Sequence, residues 1–365
     1  MSELPTVLHI STPKSWRGGE QQLAYLYEEL NSRGVKQYLL CRKDSEMAKK
    51  GKSLGWNIIE SRKTMAIDPF FARKVSLVCK QKKIDIVHAH DSHAHSFAVI
   101  SASFFGNKTP IIVSRRVDFP ISRSSIKKYN HKNIKRIICV SEAIKRLIEP
   151  DIWNKTILKT IHSGIDLNRF SQIKKKDKKL HKEYNIPFDT PLIGNIAAIA
   201  PHKDYFTFIN TAEHLVKRNY NVKFLIIGAG PMEQEIKHYC NQKKLNNHII
   251  FTGFRTDIRE ILPELDIFLI TSKTEGLGTS IIDAFACKVP VVATRAGGIP
   301  EIVKHEKSGL LANVKDAKEL AKQVERILKG SINKSKIISG QQEILANFTK
   351  SITAEKTLLE YLSLK

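Results

Sequence analysis

Short apolar runs alternate with amphipathic stretches along the whole 365-residue chain, and this alternation most constrains its fold. Leu23, Leu26 and Leu30 share one face of the stretch EQQLAYLYEELNSRG, which Gly34 ends, as in a helix. Eleven runs are typical of buried strands: TVLHIS, KQYLLC, WNIIE, DIVHAH, PIIVSRR, RIICVS, PLIGNIAAI, KFLIIG, HIIFTGF, DIFLITS and VPVVAT. This order predicts an α/β protein with parallel sheets covered on both faces.

The alternation breaks once, after residue 170. The lysine-rich stretch that follows, SQIKKKDKKLHKEYNIPFDTP, has two prolines and is interpreted as a linker or a solvated face. The length also favours two domains. We therefore expect doubly wound, Rossmann-like domains over 1–170 and 171–345, facing a cleft, and a closing helix over 346–365 that packs back on the first.

The composition is that of a folded protein, with 42% hydrophobic and 26% charged residues. The sequence has no run of eighteen apolar residues, so it predicts no transmembrane helix. The N-terminal sequence MSELPTVLHIS does not resemble a signal peptide. The five cysteines are scattered and form no CxxC pair, which favours buried reduced thiols. These features predict a cytoplasmic protein.

The formal net charge of +24 is unusual. It indicates an anionic partner, namely nucleic acid, acidic membrane or a phosphorylated ligand, or else a lysine-rich proteome. A nucleic-acid-binding protein is the weakest of these, because the sequence contains no basic strand with interleaved aromatic residues and no recognisable binding module.

Two loops of the first half carry candidate ligand contacts. Gly18 and Gly19 open a helix whose free amides suit an anion. The run DIVHAHDSHAHS has four histidines but lacks the i, i+4 pairs of a zinc helix, so we expect no metal site. His93, and with less support His90, are predicted to form hydrogen bonds with a polar ligand at the end of a strand.

Three loops of the second half are also candidates. Lys203 follows the first strand, where a lysine reaches a phosphate as a point charge. The pair Gly228 and Gly230 lacks the third glycine of a dinucleotide fingerprint, which argues against NAD. Phe254 and Arg255 follow another strand, and backbone groups there suit a base edge.

The stretch SKTEGLGTSIIDAFACKVPVV has the order strand, loop, helix and strand. Glu275 precedes a helix N-terminus, and Asp283 lies about one turn into that helix. The amides between them favour an anion and are supplied by Gly276, Leu277, Gly278, Thr279 and Ser280. Sugar hydroxyls at Glu275, a diphosphate on the amides and Lys203, and a ribose at Asp283 together describe a nucleotide sugar.

These residues resemble the retaining glycosyltransferases of family 4, which have the GT-B fold, and the resemblance covers nearly the whole chain. Glu275 and Asp283 match the family's acid–seven residues–acid motif, with Asp in place of the usual second Glu. VPVVATRAGGIPEIV followed by SGLL, WRGGEQQ, DIVHAHDSHAH and HSGIDLNRF match further segments. Ala198 stands where the family often has an arginine that grips the diphosphate, and Arg255 or His202 is the candidate replacement.

The resemblance implies transfer of a sugar from a nucleotide-diphosphate donor to an acceptor hydroxyl, with Glu275, His93 and Lys203 as catalytic residues. It implies no cofactor, and the sequence has no Asp-x-Asp pair to hold a metal. Family members commonly build lipopolysaccharide, capsule or glycolipid. The basic segment 114–137 is therefore predicted to dock on the anionic inner face of a membrane. A nucleotide-sugar epimerase of the same fold is the alternative enzyme.

Overall fold

The computed structural model describes residues 3–65, 68–170 and 178–365. The strands are β1 Val7–Ser11, β2 Gln37–Arg42, β3 Ile58–Ser61, β4 Ile86–Ala89, β5 Ile111–Arg115, β6 Ile134–Cys139, β7 Leu158–Thr160, β8 Leu192–Ile196, β9 Lys223–Ile227, β10 Ile249–Gly253, β11 Ile267–Ile270, β12 Val291–Thr294 and β13 Leu310–Ala312. The helices are α1 Gly18–Ser32, α2 Glu46–Ser53, α3 Pro69–Lys82, α4 Ser92–Phe104, α5 Ile126–Tyr129, α6 Glu142–Ile148, α7 Lys179–Glu183, α8 Tyr205–Val216, α9 Glu233–Gln242, α10 Ile258–Ile261, α11 Thr279–Ala286, α12 Ile299–Ile302, α13 Ala317–Leu328, α14 Lys334–Leu345 and α15 Lys350–Leu362.

The chain divides into two compact units, one of residues 1–164 with 349–365 and one of residues 165–348. The observed boundary therefore lies six residues before the expected one at 170. The crossing segments meet where the Ile165 amide donates to the Phe348 carbonyl at 2.9 Å. Residues 171–177 of the expected linker lie outside the described residues. From Lys179 the chain is not a linker, because α7 belongs to the second unit and buries Leu180.

The first unit contains a seven-stranded parallel sheet of order β3-β2-β1-β4-β5-β6-β7. The strand order of this sheet reverses between β1 and β4. Sheets of this kind bind ligands at such a point, beyond the carboxyl ends of the strands. The C-terminal helix α15 packs against α1 and buries Ala354 and Tyr361 with Val7 and Leu26. Arg136 forms an ion pair with Glu360 at 2.5 Å, which also ties α15 to this unit.

The second unit contains a six-stranded parallel sheet of order β10-β9-β8-β11-β12-β13. Its core runs through β8, β9 and β11 to α8 and α13, and includes Phe208, Phe224 and Val324. The order changes between β8 and β11, so the loops after these strands lie at the ligand-binding edge. The predicted α/β class with two Rossmann-like parallel sheets is confirmed.

All eleven predicted runs contain strands, and the sequence interpretation missed two, β7 and β13. Both are three residues long, which is too short for an apolar run to stand out. No described helix is both long enough and apolar enough to cross a membrane.

Candidate active site

The loop after β11 forms an open set of backbone donors. Gly278 has φ +91° and turns the chain into α11, a conformation that favours glycine. Within the described chain, no residue accepts a hydrogen bond from the amides of residues 276–280. Amides left unpaired at a helix N-terminus attract a negative charge such as a phosphate. The structure thus brings the five predicted amides together on one loop.

Glu275 and Lys203 meet at the edge of this loop. Lys203 lies in a short turn after β8, and its Nζ forms an ion pair with Glu275 Oε2. Each side chain is only 14% exposed, so water screens the pair weakly. Ser272 Oγ lies 3.3 Å from the same carboxylate oxygen. The predicted phosphate-binding cation and the predicted sugar-binding acid are therefore direct partners, which the sequence did not indicate.

The glycine pair of ATRAGGIPE has a structural explanation. Gly297 has φ +49°, and a Cβ there would lie 2.1 Å from the Glu275 carbonyl oxygen. The Gly298 amide donates to that same oxygen at 2.9 Å. Only glycine permits so close a backbone approach. The glycines after β12 therefore position the loop that carries Glu275.

Gly228 and Gly230 are also required by packing. A Cβ on Gly228 would lie 2.0 Å from the Ala197 carbonyl oxygen, and one on Gly230 would lie 2.3 Å from that of Ile199. The two glycines therefore seat the loop that leads from β8 to Lys203. This contact accounts for glycine at both positions without a dinucleotide.

Asp283 lies on α11, one turn past the amides. Its Oδ1 is buried and has no hydrogen-bond partner in the described part of the chain. Burial raises the pKa of Asp283 to about 6, and the charge of Arg169 opposes the shift. A buried carboxylate oxygen without a donor is costly, and ligand hydroxyls would satisfy it. A ribose contact at this carboxylate stays a prediction.

Arg255 is occupied elsewhere in the second unit. Its guanidinium forms ion pairs with Glu183 of α7 and with Asp257, and these hydrogen bonds raise its pKa. Its proposed role as replacement for the missing arginine at Ala198 would require breaking both pairs. His202, by contrast, is exposed beside Lys203, and Phe254 is 77% exposed on its loop.

His93 of the first unit lies where the sequence placed it, exposed near the start of α4. Asp91 caps this helix by accepting from the His93 and Ala94 amides, each at 3.0 Å. The same carboxylate accepts from the amide and hydroxyl of Thr12, at 2.8 and 2.7 Å. Asp91 thus joins the loops after β1 and β4. The sequence analysis missed it, although an Asp between a strand and a helix is a typical N-cap signal.

His90 does not have the predicted role. It is 7% exposed, and its Nε2 lies 2.9 Å from His9 Nδ1. Its carbonyl and Nδ1 both accept from Arg116, at 3.1 and 3.4 Å. The ring therefore has no nitrogen left for a donor sugar.

The rings of His9, His88 and His90 form one buried cluster, close enough together to hold a metal ion. Every ring nitrogen already has a partner, however: His9 Nε2 faces Gln37 Oε1 at 3.1 Å, and His88 lies between Ser114 Oγ at 2.8 Å and the Tyr361 hydroxyl at 2.5 Å. Burial lowers the pKa of His9 to about 4 and lowers those of His88 and His90 well below the usual value. These contacts favour a neutral hydrogen-bonded network over a metal site.

The basic segment 114–137 is only partly free. Arg115 is buried and donates to the hydroxyl of buried Tyr129 at 2.9 Å. Arg116 is held by His90, Arg136 by Glu360, and Lys128 is half-buried. Of the eight Lys and Arg residues in this segment, four are exposed on the surface: Arg123, Lys127, Lys132 and Lys135. Phe119 is exposed, but Tyr129 is not available to a membrane.

The fold and the amide loop define a GT-B-type glycosyltransferase, and family models confirm that class. The model described as Glycosyltransferase Family 4 matches residues 16–169, and that of glycosyl transferases group 1 matches residues 176–343. The chain belongs to the GT-B-type glycosyltransferases, enzymes that use nucleotide sugars.

Particular relatives are distant. N-acetyl-alpha-D-glucosaminyl L-malate synthase of Bacillus anthracis is 25% identical over 72% of this chain and 70% of its own length. The lipopolysaccharide core biosynthesis glycosyltransferase LpsE of Rhizobium meliloti is 22% identical over 93% of this chain and 94% of its own. The structure of Anabaena HepE in complex with UDP and glucose has a TM-score of 0.85 at 20% identity, covering 98% of this chain and 99% of that one. This likeness shows the fold alone.

Proposed function

We propose that the chain is a retaining, metal-independent glycosyltransferase that moves a sugar from a nucleotide-diphosphate donor to an acceptor hydroxyl. The observation that carries the proposal is the open amide loop at residues 276–280, bordered by Lys203, Glu275 and Asp283. The amides and Lys203 bind the diphosphate, Asp283 accepts from the ribose, and Glu275 accepts from hydroxyls of the sugar. His93 is kept as a proposed contact of a sugar hydroxyl.

In the proposed reaction, the bond from sugar C1 to the phosphate oxygen breaks and its electron pair goes to the diphosphate. The acceptor oxygen bonds C1 on the same face, which retains the configuration. The acceptor proton passes to the departing phosphate oxygen, so that no protein base is required. Lys203 and the helix amides stabilise the charge that develops on the diphosphate, which lowers the barrier.

The test is a panel of nucleotide sugars. A true donor stabilises the folded protein by mass action, so that its melting temperature rises with donor concentration. Proton NMR of the product then gives the anomeric configuration. Retained configuration supports the proposal. An inverted product would contradict the mechanism, and failure of every nucleotide sugar and nucleoside diphosphate to stabilise the protein would contradict the donor site.

Metal independence rests on the missing Asp-x-Asp pair and on the cation and amides that take the place of a metal at the diphosphate. We expect full turnover in excess chelator. Activity that is lost in chelator and restored by magnesium or manganese would overturn this part of the proposal.

The proposed acceptor is a glycan or glycolipid of lipopolysaccharide, capsule or glycolipid synthesis. The relative LpsE, a glycosyltransferase of lipopolysaccharide core biosynthesis, supports this choice. We place the protein in the cytoplasm, attached reversibly to the inner membrane face through Arg123, Lys127, Lys132 and Lys135. Each exposed cation adds about 1 kcal/mol near an anionic surface.

Co-sedimentation with vesicles tests this attachment. Binding is expected to require anionic lipid, to fall at high salt, and to drop when these four cations are changed to Glu. Four exposed lysines of the second unit, Lys217, Lys237, Lys322 and Lys329, give the control with equal charge change. An equal loss in both variants would show that net charge, and not this segment, binds lipid.

A further inference from the structure

A cavity of about 360 Å³ lies at the carboxyl edge of the first unit's sheet. Its lining comes from the ends of β1, β2, β3 and β4, which are neighbours in the sheet, and so it opens beside the change of strand order. Ligands of doubly wound sheets bind at this place. Four cations line it, here named the cationic rim: Lys14, Arg17, Arg42 and Lys63.

The two acids of the cavity do not neutralise the rim. Asp91 is bound by Thr12 and by the amides that begin α4. Glu20 is buried and accepts from the Arg17 backbone amide at 2.9 Å. Arg116, which is half-buried, interacts electrostatically with both acids. The single charge of Arg116 offsets one of the two carboxylates, so the cavity with its four rim cations keeps a net positive charge.

The rim cations have no ion-pair partner among the described residues. None of the four side chains forms an ion pair or a hydrogen bond with any residue that the structure describes. Elsewhere many exposed lysines do find a carboxylate, as Lys49, Lys52 and Lys217 do. Four positive charges around one small cavity repel one another, and an anion placed among them relieves that repulsion.

The adjoining glycines are not required by the fold. Gly18 and Gly19 have no positive φ, and a Cβ on either would meet no protein atom within 4 Å. Their amides donate to no acceptor among the described residues. Bare backbone next to the rim leaves room for close approach by a ligand.

We propose that this cavity binds an anionic group, a phosphate or a carboxylate, carried by the sugar acceptor. The proposal rests on the proposed function, since it names the class of acceptor for that reaction. The volume is at the small end for ligand sites, which suits a small acid or the charged end of a larger acceptor. The diphosphate of the nucleotide sugar has separate proposed hydrogen-bond donors in the second unit, namely Lys203 and the amides of residues 276–280.

The test is calorimetry on the full chain at fixed ionic strength, with inorganic phosphate and L-malate as separate probes and no nucleotide sugar present. Arg42→Ala with Lys63→Ala should weaken binding of the better probe by about tenfold or more. The control pair Lys43→Ala with Arg62→Ala removes equal charge one residue away, from exposed side chains that do not line the cavity. It should change affinity less than about twofold. The better probe tells a phosphate from a carboxylate acceptor.

Arg42→Lys with Lys63→Arg keeps the charge and should retain binding, which separates charge from misfolding. Nucleoside diphosphate affinity should be the same in the wild type and the Ala pair. Absence of binding to the wild type by both probes, equal loss in the control pair, or loss of nucleoside diphosphate affinity in the Ala pair would each overturn the proposal. Anion binding that passes these tests in a protein that turns over no donor would refute the proposed function and leave the anion site standing.

Discussion

The two units present different electrostatics at the edges where their strands end. In the second unit the lysine at the site is paired with Glu275, and the groups proposed to bind the anion are uncharged backbone amides. In the first unit four cations surround a cavity and find no described anion. The second edge is thus held in shape by its own ion pair and backbone contacts, whereas the first keeps an excess of positive charge that the proposed anion would balance. Substitutions at the two edges should therefore differ in kind.

The largest effect is expected for Glu275→Ala. The change removes the sugar contact and releases Lys203, so transfer should fall on the order of a hundredfold, while nucleoside diphosphate affinity stays equal or rises. Initial rates and calorimetry measure the two effects. Glu275→Gln, which keeps the size, is the control for packing and should also lose transfer. Wild-type turnover by the Ala variant would remove Glu275 from the site.

The same Gly→Ala substitution should change stability differently in the glycine pairs of the two edges. Gly297→Ala forces a Cβ against the Glu275 carbonyl at positive φ, so it should cost at least about 2 kcal/mol of stability. Gly19→Ala lies in open space in the first turn of α1 and should leave stability unchanged or slightly higher. Thermal unfolding of both variants decides the matter. Equal melting temperatures would contradict the assignment of Gly297 to loop positioning.

Lys203→Ala should weaken nucleoside diphosphate binding by about tenfold and leave nucleoside binding unchanged, because one charge-assisted contact is lost. The ion pair with Glu275 keeps this effect moderate, since the wild-type lysine must share its charge between two partners. Lys273→Ala, an exposed lysine on the loop after β11, is the control. If calorimetry finds the same nucleoside diphosphate affinity for Lys203→Ala and the wild type, Lys203 does not bind the diphosphate.

The smallest expected effect is a pH dependence at Asp283. Its pKa of about 6 in the folded chain lies above the ordinary value of 3.8. The folded state therefore holds the proton more tightly, and stability falls as pH rises from about 4 to about 6. Nucleotide affinity should run the other way and fall a few-fold from pH 7 to pH 5, as the carboxylate that accepts from ribose becomes protonated.

Asp283→Asn is the control for this effect. It should flatten both profiles, and it should raise the stability of the protein at pH 7 because no charge is buried. A wild-type affinity that does not change between pH 7 and pH 5 would contradict the ribose contact.

The sequence was a good guide where the signal is local. The apolar runs predicted eleven strands, because burial on both faces of a parallel sheet leaves a continuous hydrophobic run. The stretch with the amides of residues 276–280 and its flanking acids could also be singled out from the sequence, because the glycines, Glu275 and Asp283 all lie within one short segment. The resemblance to family 4 rested on these same short segments, and the family models confirm that class.

Only the tertiary structure decided which polar side chains are already in use. Arg255 appeared free in sequence, yet it is paired with Glu183, 72 positions earlier. His90 appeared to be a ligand contact, yet its ring lies against His9, 81 positions away. The sequence analysis named Glu275 and quoted the segment VPVVATRAGGIPEIV, which contains Gly297, but it did not indicate their contact. Periodicity and motif spacing report which residues lie on a strand end, whereas a hydrogen bond or an ion pair depends on which strands become neighbours in the sheet. That neighbour order is set by the packing of the whole unit.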